Sequence, residues 1–187
     1  MWALVESNNV TQVYTRPKAL TIGNVNYPSN IFTMWSASEL EAIGIYEVVQ
    51  DSTNYKNPKY YNNTDQSFNF ASGAVTASYG TATAKPLNDS GSGDTLVKGL
   101  KTLHKEDINE QAGGILEPTD WMVIRAQEGG TAVPSSITTK RAAVRTKANA
   151  MCTQIDNAAD VDALAALYVY NNADPAVRPI GELPTVG

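Results

Sequence analysis

Along the front half of the chain, apolar and polar side chains alternate with a period of two, which is the pattern of half-buried strands. Trp2 to Glu6 and Val10 to Tyr14 are β-prone runs separated by Ser7-Asn8-Asn9, and they predict a hairpin. Leu20-Thr21-Ile22 and Val25-Asn26-Tyr27 flank Gly23-Asn24, where glycine accepts the positive φ of a type II′ turn. Ser36-Ala37-Ser38-Glu39 reads as a capping box that opens a short helix ending near Gly44. Ile45 to Val49 is extended again. Residues 51–66 read as a polar loop rich in Asn, Lys, Tyr and Thr, with a short strand at Tyr60-Tyr61. Ser67-Phe68-Asn69-Phe70-Ala71 alternates cleanly, Ser72-Gly73 turns the chain, and Ala74 to Thr83 continues the sheet. The prediction is a small antiparallel sheet with one helix across it.

The period then changes. Lys85-Pro86 ends the sheet, and the Asn, Asp, Ser and Gly residues that follow predict a linker over 89–94. Leu96, Leu100, Leu103, Ile108, Ala112 and Ile115 lie on one helical face, predicting a helix over 94–112 that Gly113-Gly114 stops. Thr119 is placed to cap a short helix from Asp120 to about Gln127. Pro134-Ser135-Ser136 opens a long helix in which Ile137, Val144, Ala148, Met151 and Ile155 share one side. Asp160 can cap a last helix carrying Val161, Leu164 and Tyr168. Pro175, Pro179 and Pro184 exclude helix from the tail. The fold class is therefore α+β: a β-rich domain over 1–88 with one short helix, the linker, a helical domain over 95–170 and an extended arm over 171–187.

Composition narrows the function. The chain has 187 residues, enough for one large domain or two small ones, and its 42% hydrophobic content suits a folded core. A net charge of −5 argues against a nucleic-acid binder, whose affinity rests on clustered Lys and Arg. No apolar run is long enough to span a bilayer, and the N-terminus lacks the basic region of a secretory signal. A single cysteine allows neither an intrachain disulfide nor a cysteine-based zinc cluster. Folding in a cytoplasm fits these features.

Candidate chemistry is sparse, and no metal or other cofactor is expected. His104, the only histidine, falls on the stripe side of the first long helix and reads as a packed residue. Cys152 follows Met151 on a helix and reads as a small packed side chain. The glycine pairs lack the Lys-Ser/Thr of a phosphate-binding loop, and no pair of carboxylates is singled out. The expectation is a protein that is not an enzyme. Lys140, Arg141, Arg145 and Lys147 populate the helix surface around the apolar stripe and are the candidate partner-binding residues. Tyr55, Tyr60 and Tyr61 suit strand packing or sugar stacking.

Ile115-Leu116-Glu117-Pro118-Thr119-Asp120-Trp121, then Pro134, then Arg141-Ala142-Ala143-Val144-Arg145 form an ordered set. It resembles the C-terminal region of tail-fibre assembly and tail-assembly chaperone-like proteins of tailed bacteriophages, of the marine phage type. The close match covers about thirty residues. It departs from many relatives at Lys140, where they carry tyrosine. On physical grounds, Trp121 is the largest apolar group of the back half and is expected to fasten the short helix to the long ones, with Thr119 and Asp120 at its base. Arg141 and Arg145 lie one turn apart and can bridge to acids.

The resemblance implies a non-enzymatic tail- or fibre-associated protein, made in the host bacterial cytoplasm and incorporated in the virion tail. It would act there as a fibre adaptor or baseplate component. Its partners would be tail-fibre or baseplate proteins, or further copies of itself, and neither nucleic acid nor membrane. A transient fibre-assembly chaperone is the alternative within that family. Outside it stands a carbohydrate- or peptide-binding module on the β half.

Overall fold

The alternating runs of the front half form strands, and the 3.6-residue pattern of the back half forms helices, giving an α+β protein. The computed structural model describes residues 1–186 and divides the chain after Thr83.

In the first unit, β1 (Trp2–Glu6) and β2 (Asn9–Tyr14) make the first hairpin. Its turn residues Ser7 and Asn8 take φ of 51° and 64°, so both central positions are left-handed, as the twist of a two-residue hairpin requires. β3 (Leu20–Ile22) and β4 (Val25–Tyr27) form the second, with the predicted positive φ at Gly23. A single helical turn, α1 (Ile31–Met34), was not foreseen. α2 (Ala37–Ala42) carries the predicted capping box, with the Ser36 amide donating to Glu39 at 2.8 Å. β5 (Ile45–Asp51), the short β6 (Tyr61–Asn62), β7 (Gln66–Ala71) and β8 (Ala74–Tyr79) follow.

Five of these strands form one sheet in the order β2-β1-β5-β8-β7. Central β5 runs antiparallel to β1 through Ile45 to Glu47 and parallel to β8 through Val48 to Asp51, so the sheet is mixed. It curls until β2 approaches β7. Because side chains alternate along a strand, both faces are covered. Leu4 and Ile45 point to one face with Tyr14, Leu20, Phe32 and Leu40, where α1 and α2 pack. Ala3, Val48, Val75 and Ala77 point to the other, inside the curl, with Phe68 and Phe70.

The second unit contains α3 (Leu100–Leu116), α4 (Asp120–Gln127), α5 (Ser135–Asp156) and α6 (Val161–Ala166). The predicted linker is not an open tether. Ser90 and Val97 exchange backbone hydrogen bonds, the Gly99 amide donates to the Asp89 carboxylate at 2.7 Å, and the Leu100 amide donates to Pro86. These bonds form a closed loop at the start of α3, which is why that helix begins at Leu100 and not near 94. Its buried stripe is Leu100, His104, Ile108 and Ala112, four residues apart, and the predicted Leu96 and Leu103 stand exposed.

Gly113-Gly114 does not stop α3. Two helical glycines cost roughly 2 kcal/mol in all, but Ala112, Ile115 and Leu116 on either side are buried or half-buried and α3 packs along α5. The break comes instead at a 3-10 turn over Glu117–Thr119, where Pro118 lies near the start. α6 is capped as predicted, Asp160 accepting the Ala163 amide at 2.7 Å.

The tail is extended, and it docks onto its own unit. Ile180 is fully buried and Val186 nearly so.

Candidate functional site

α5 carries all four cations singled out in the sequence, and the structure puts them in three different environments. Ile137, Arg141, Val144, Ala148, Met151 and Ile155 are spaced four, three, four, three and four residues apart, so Arg141 lies on the apolar stripe itself. It is 8% exposed. Such a burial is costly unless the charge is paired and hydrogen-bonded. Its guanidinium donates to the Leu116 carbonyl at 2.8 Å, to the Thr119 hydroxyl at 2.5 Å and to the Asp120 carboxylate at 2.6 Å. Arg141 is therefore not a partner-binding residue but the pin that holds the start of α4 to α5.

This network also corrects the role of Thr119. Its side chain does not cap α4; the hydroxyl donates to the Leu116 carbonyl at 2.9 Å and accepts from Arg141. Asp120 keeps its favourable first-turn position and is the ion-pair partner of Arg141.

Lys140 and Lys147 are one heptad apart and reach the chain's own arm. Lys140 donates to the Val186 carbonyl at 3.3 Å and Lys147 to the Ile180 carbonyl at 3.0 Å. Gln154, a further heptad along, donates to Pro179 at 3.4 Å. The row at 140, 147 and 154 thus grips the main chain of an extended segment running antiparallel to α5. The cluster read from the sequence as open to a partner is occupied at these two lysines by residues 179–186. Further back in the arm, Arg178 pairs with Glu182 at 2.7 Å and lies over the rings of Tyr168 and Tyr170. Tyr170 also donates to Glu182, and these two hydrogen bonds, the tyrosine's first, hold the Glu182 carboxyl below its ordinary pKa.

Arg145 is the remaining cation. It is exposed, and among the described residues no hydrogen bond or ion pair engages it. It lines an open cleft of about 260 Å³ between α4 and α5, together with Val123, Val133, Thr138 and Arg141.

Trp121 departs most from expectation. It is 53% exposed, and Ile124, one turn on, is 59% exposed. α4 has no fully buried residue at all. Trp121-Met122-Val123-Ile124 places apolar groups around the whole helix, so half-burying Met122, Val123 and Ala126 leaves the tryptophan outside. The Arg125 guanidinium covers its ring at 4.8 Å and donates to the Thr131 carbonyl, fixing the far end of the helix. α4 is thus held at its two ends by polar contacts, with its apolar outer face open.

Other candidates resolve as packing. Tyr60 and Tyr61 are buried, and only Tyr55 of that group is exposed, tilted against Tyr79 at 4.8 Å. One exposed ring against a half-buried one supplies little of a sugar platform. His104 is buried with its ring 4.7 Å from Tyr168. Burial pushes the Cys152 thiol up, away from a reactive thiolate. Among the described residues no cluster of His, Cys, Asp or Glu is arranged to hold a metal ion, and no helix is long and apolar enough to cross a membrane. A wider groove of about 520 Å³ is lined by Val169, Tyr170, Val177, Arg178 and Pro179, but its cation is already paired with Glu182. No protein-family model matches the chain, and no curated protein or solved structure is found to be similar to it.

Proposed function

We propose that this chain is a non-catalytic component of a bacteriophage tail or its fibres, and that it docks on another tail protein through α4. The observation that carries the reading is the division of labour within the phage-like motif. Thr119, Asp120 and Arg141 clamp the base of α4 from inside, while Trp121 and Ile124 stand out on its open face. A pinned helix presents these side chains with little conformational freedom left to lose, which favours association. Tryptophan is enriched among the residues that dominate binding energies. Fully burying an aliphatic or aromatic side chain contributes about 1.5–3 kcal/mol; removing the exposed halves of these two from water supplies roughly 2–3 kcal/mol.

The test is a pull-down of fibre and baseplate proteins by the full chain, with Trp121→Ala and Ile124→Ala beside it. The reading expects capture of one tail protein and a tenfold or greater loss in the double variant. Capture of none of them overturns it. Capture that ignores both substitutions moves the interface off α4 and overturns the assignment of the face.

A further inference from the structure

We infer that the cleft between α4 and α5 is an acid-reading subsite, which receives an aliphatic side chain of a peptide segment while Arg145 binds a carboxylate beside it. The inference deepens the docking reading and rests on it, because it names the chemistry of the partner at a second point beside α4.

The charge pattern selects the occupant. Of the four cations on α5, Arg141 is neutralised by Asp120, and Lys140 and Lys147 are spent on the arm. Among the described residues Arg145 alone of the four has no hydrogen-bond or ion-pair partner, on a chain whose net charge is −5. Thr138, Arg141 and Arg145 recur at three and four residues, so they share one side of α5. Val123 and Val133 supply the apolar wall, and the cleft of about 260 Å³ is small. That suits a side chain and not a cofactor, since ligand pockets for small molecules run to roughly 300–1,000 Å³.

A low-dielectric wall beside an unneutralised guanidinium concentrates its field, which raises the attraction for an anion and penalises a cation. The planar fork of arginine suits a carboxylate, taken by two parallel N–H···O bonds. A phosphate backbone is a poor alternative, because its affinity accumulates over many cations and this cleft offers one. The occupant is therefore an acidic, aliphatic peptide segment of a protein partner.

The probe is a fluorescein-labelled, acetylated and amidated dodecapeptide of Leu, Glu, Ser and Gly, with a counterpart in which every Glu is Gln. Fluorescence anisotropy on the full chain reads the binding. Saturable binding of the acidic peptide is expected, weakened at least tenfold by Glu→Gln in the peptide, by Arg145→Gln, and by Thr138→Trp, which fills the cleft from an exposed position. Arg145→Lys restores only part, since a point charge lacks the fork. Circular dichroism of each variant checks that the helices persist. Equal binding of the two peptides, indifference to Arg145→Gln, or no binding up to millimolar peptide each overturns the inference. These outcomes are separate from the docking test: a pull-down that depends on Trp121 stands even if the peptide fails, and failure of both removes the surface altogether.

Discussion

Arg141→Met is the substitution whose cost the structure defines best. Methionine keeps a long apolar stem on the α5 stripe and removes the fork, so the change isolates the polar network. Three bonds disappear, to the Leu116 carbonyl, the Thr119 hydroxyl and the Asp120 carboxylate. Hydrogen bonds to a charged group contribute about 1.5–3 kcal/mol each, which as an upper bound gives roughly 4.5–9 kcal/mol. Two effects reduce it. The Asp120 side chain is 52% exposed and rehydrates, so its share falls to the surface-pair scale of about 0–1 kcal/mol. The buried cation also no longer has to be desolvated. Thr119 still donates to Leu116, leaving that carbonyl with one partner. The net loss comes to about 2–4 kcal/mol. Urea titration of the full chain, followed by far-UV circular dichroism, measures it. Arg141→Lys should recover less than half, because a compact ammonium lacks the fork whose two terminal nitrogens reach these acceptors. A loss below about 0.5 kcal/mol for Arg141→Met, or full recovery by lysine, refutes the clamp.

Other expectations follow from burial and strain. Trp121→Ala should cost only about 0.5–1 kcal/mol, the scale of its exposed cation–π contact. Ile108→Ala, at 2% exposure, should cost about 2–5 kcal/mol in the same titration; equal losses contradict the placement of α4. Gly44→Ala should destabilise the first unit by about 1–3 kcal/mol, because φ there is +84° and a Cβ would lie 2.8 Å from the Val5 carbonyl oxygen. Native folding of that variant with an unchanged denaturation midpoint argues against this geometry. Glu182 sets a pH dependence. Its folded pKa is depressed, so its contribution is present above the unfolded carboxylate value of about 4.3 and is lost as pH falls through the folded value. Hydrogen-exchange protection of the Ile180 and Gly181 amides should hold from pH 7 to 5 and be lost only below the unfolded carboxylate value of about 4.3; loss already at pH 5 contradicts the sign.

What the sequence reveals and what it hides divide along a physical line. Local rules sufficed for both hairpins, the Ser36–Glu39 box, the Asp160 cap and the length of α5, because each depends on residues a few positions apart. Arg141 was misread: its charge suggests a surface residue, although its position between Ile137 and Val144 places it on the inward stripe. The arm was legible as extended but not as docked. Its grip depends on Lys140, Lys147 and Gln154 meeting main-chain carbonyls, which no side-chain pattern encodes. Gly113-Gly114 misled because tertiary packing of α3 against α5 outweighs propensity. Trp121 misled because size predicts burial only when a helix has one apolar face, and the run Trp121–Ile124 puts apolar side chains all the way round α4.

Quantitative mass spectrometry of purified virions, from the genome that encodes this chain, tests the central proposal most directly. The chain should be present in fixed stoichiometry with a tail or fibre protein and should cross-link to it from the α4 side of the helical unit. Presence in the producing cells with absence from the particles contradicts a virion role and leaves that of an assembly factor that departs.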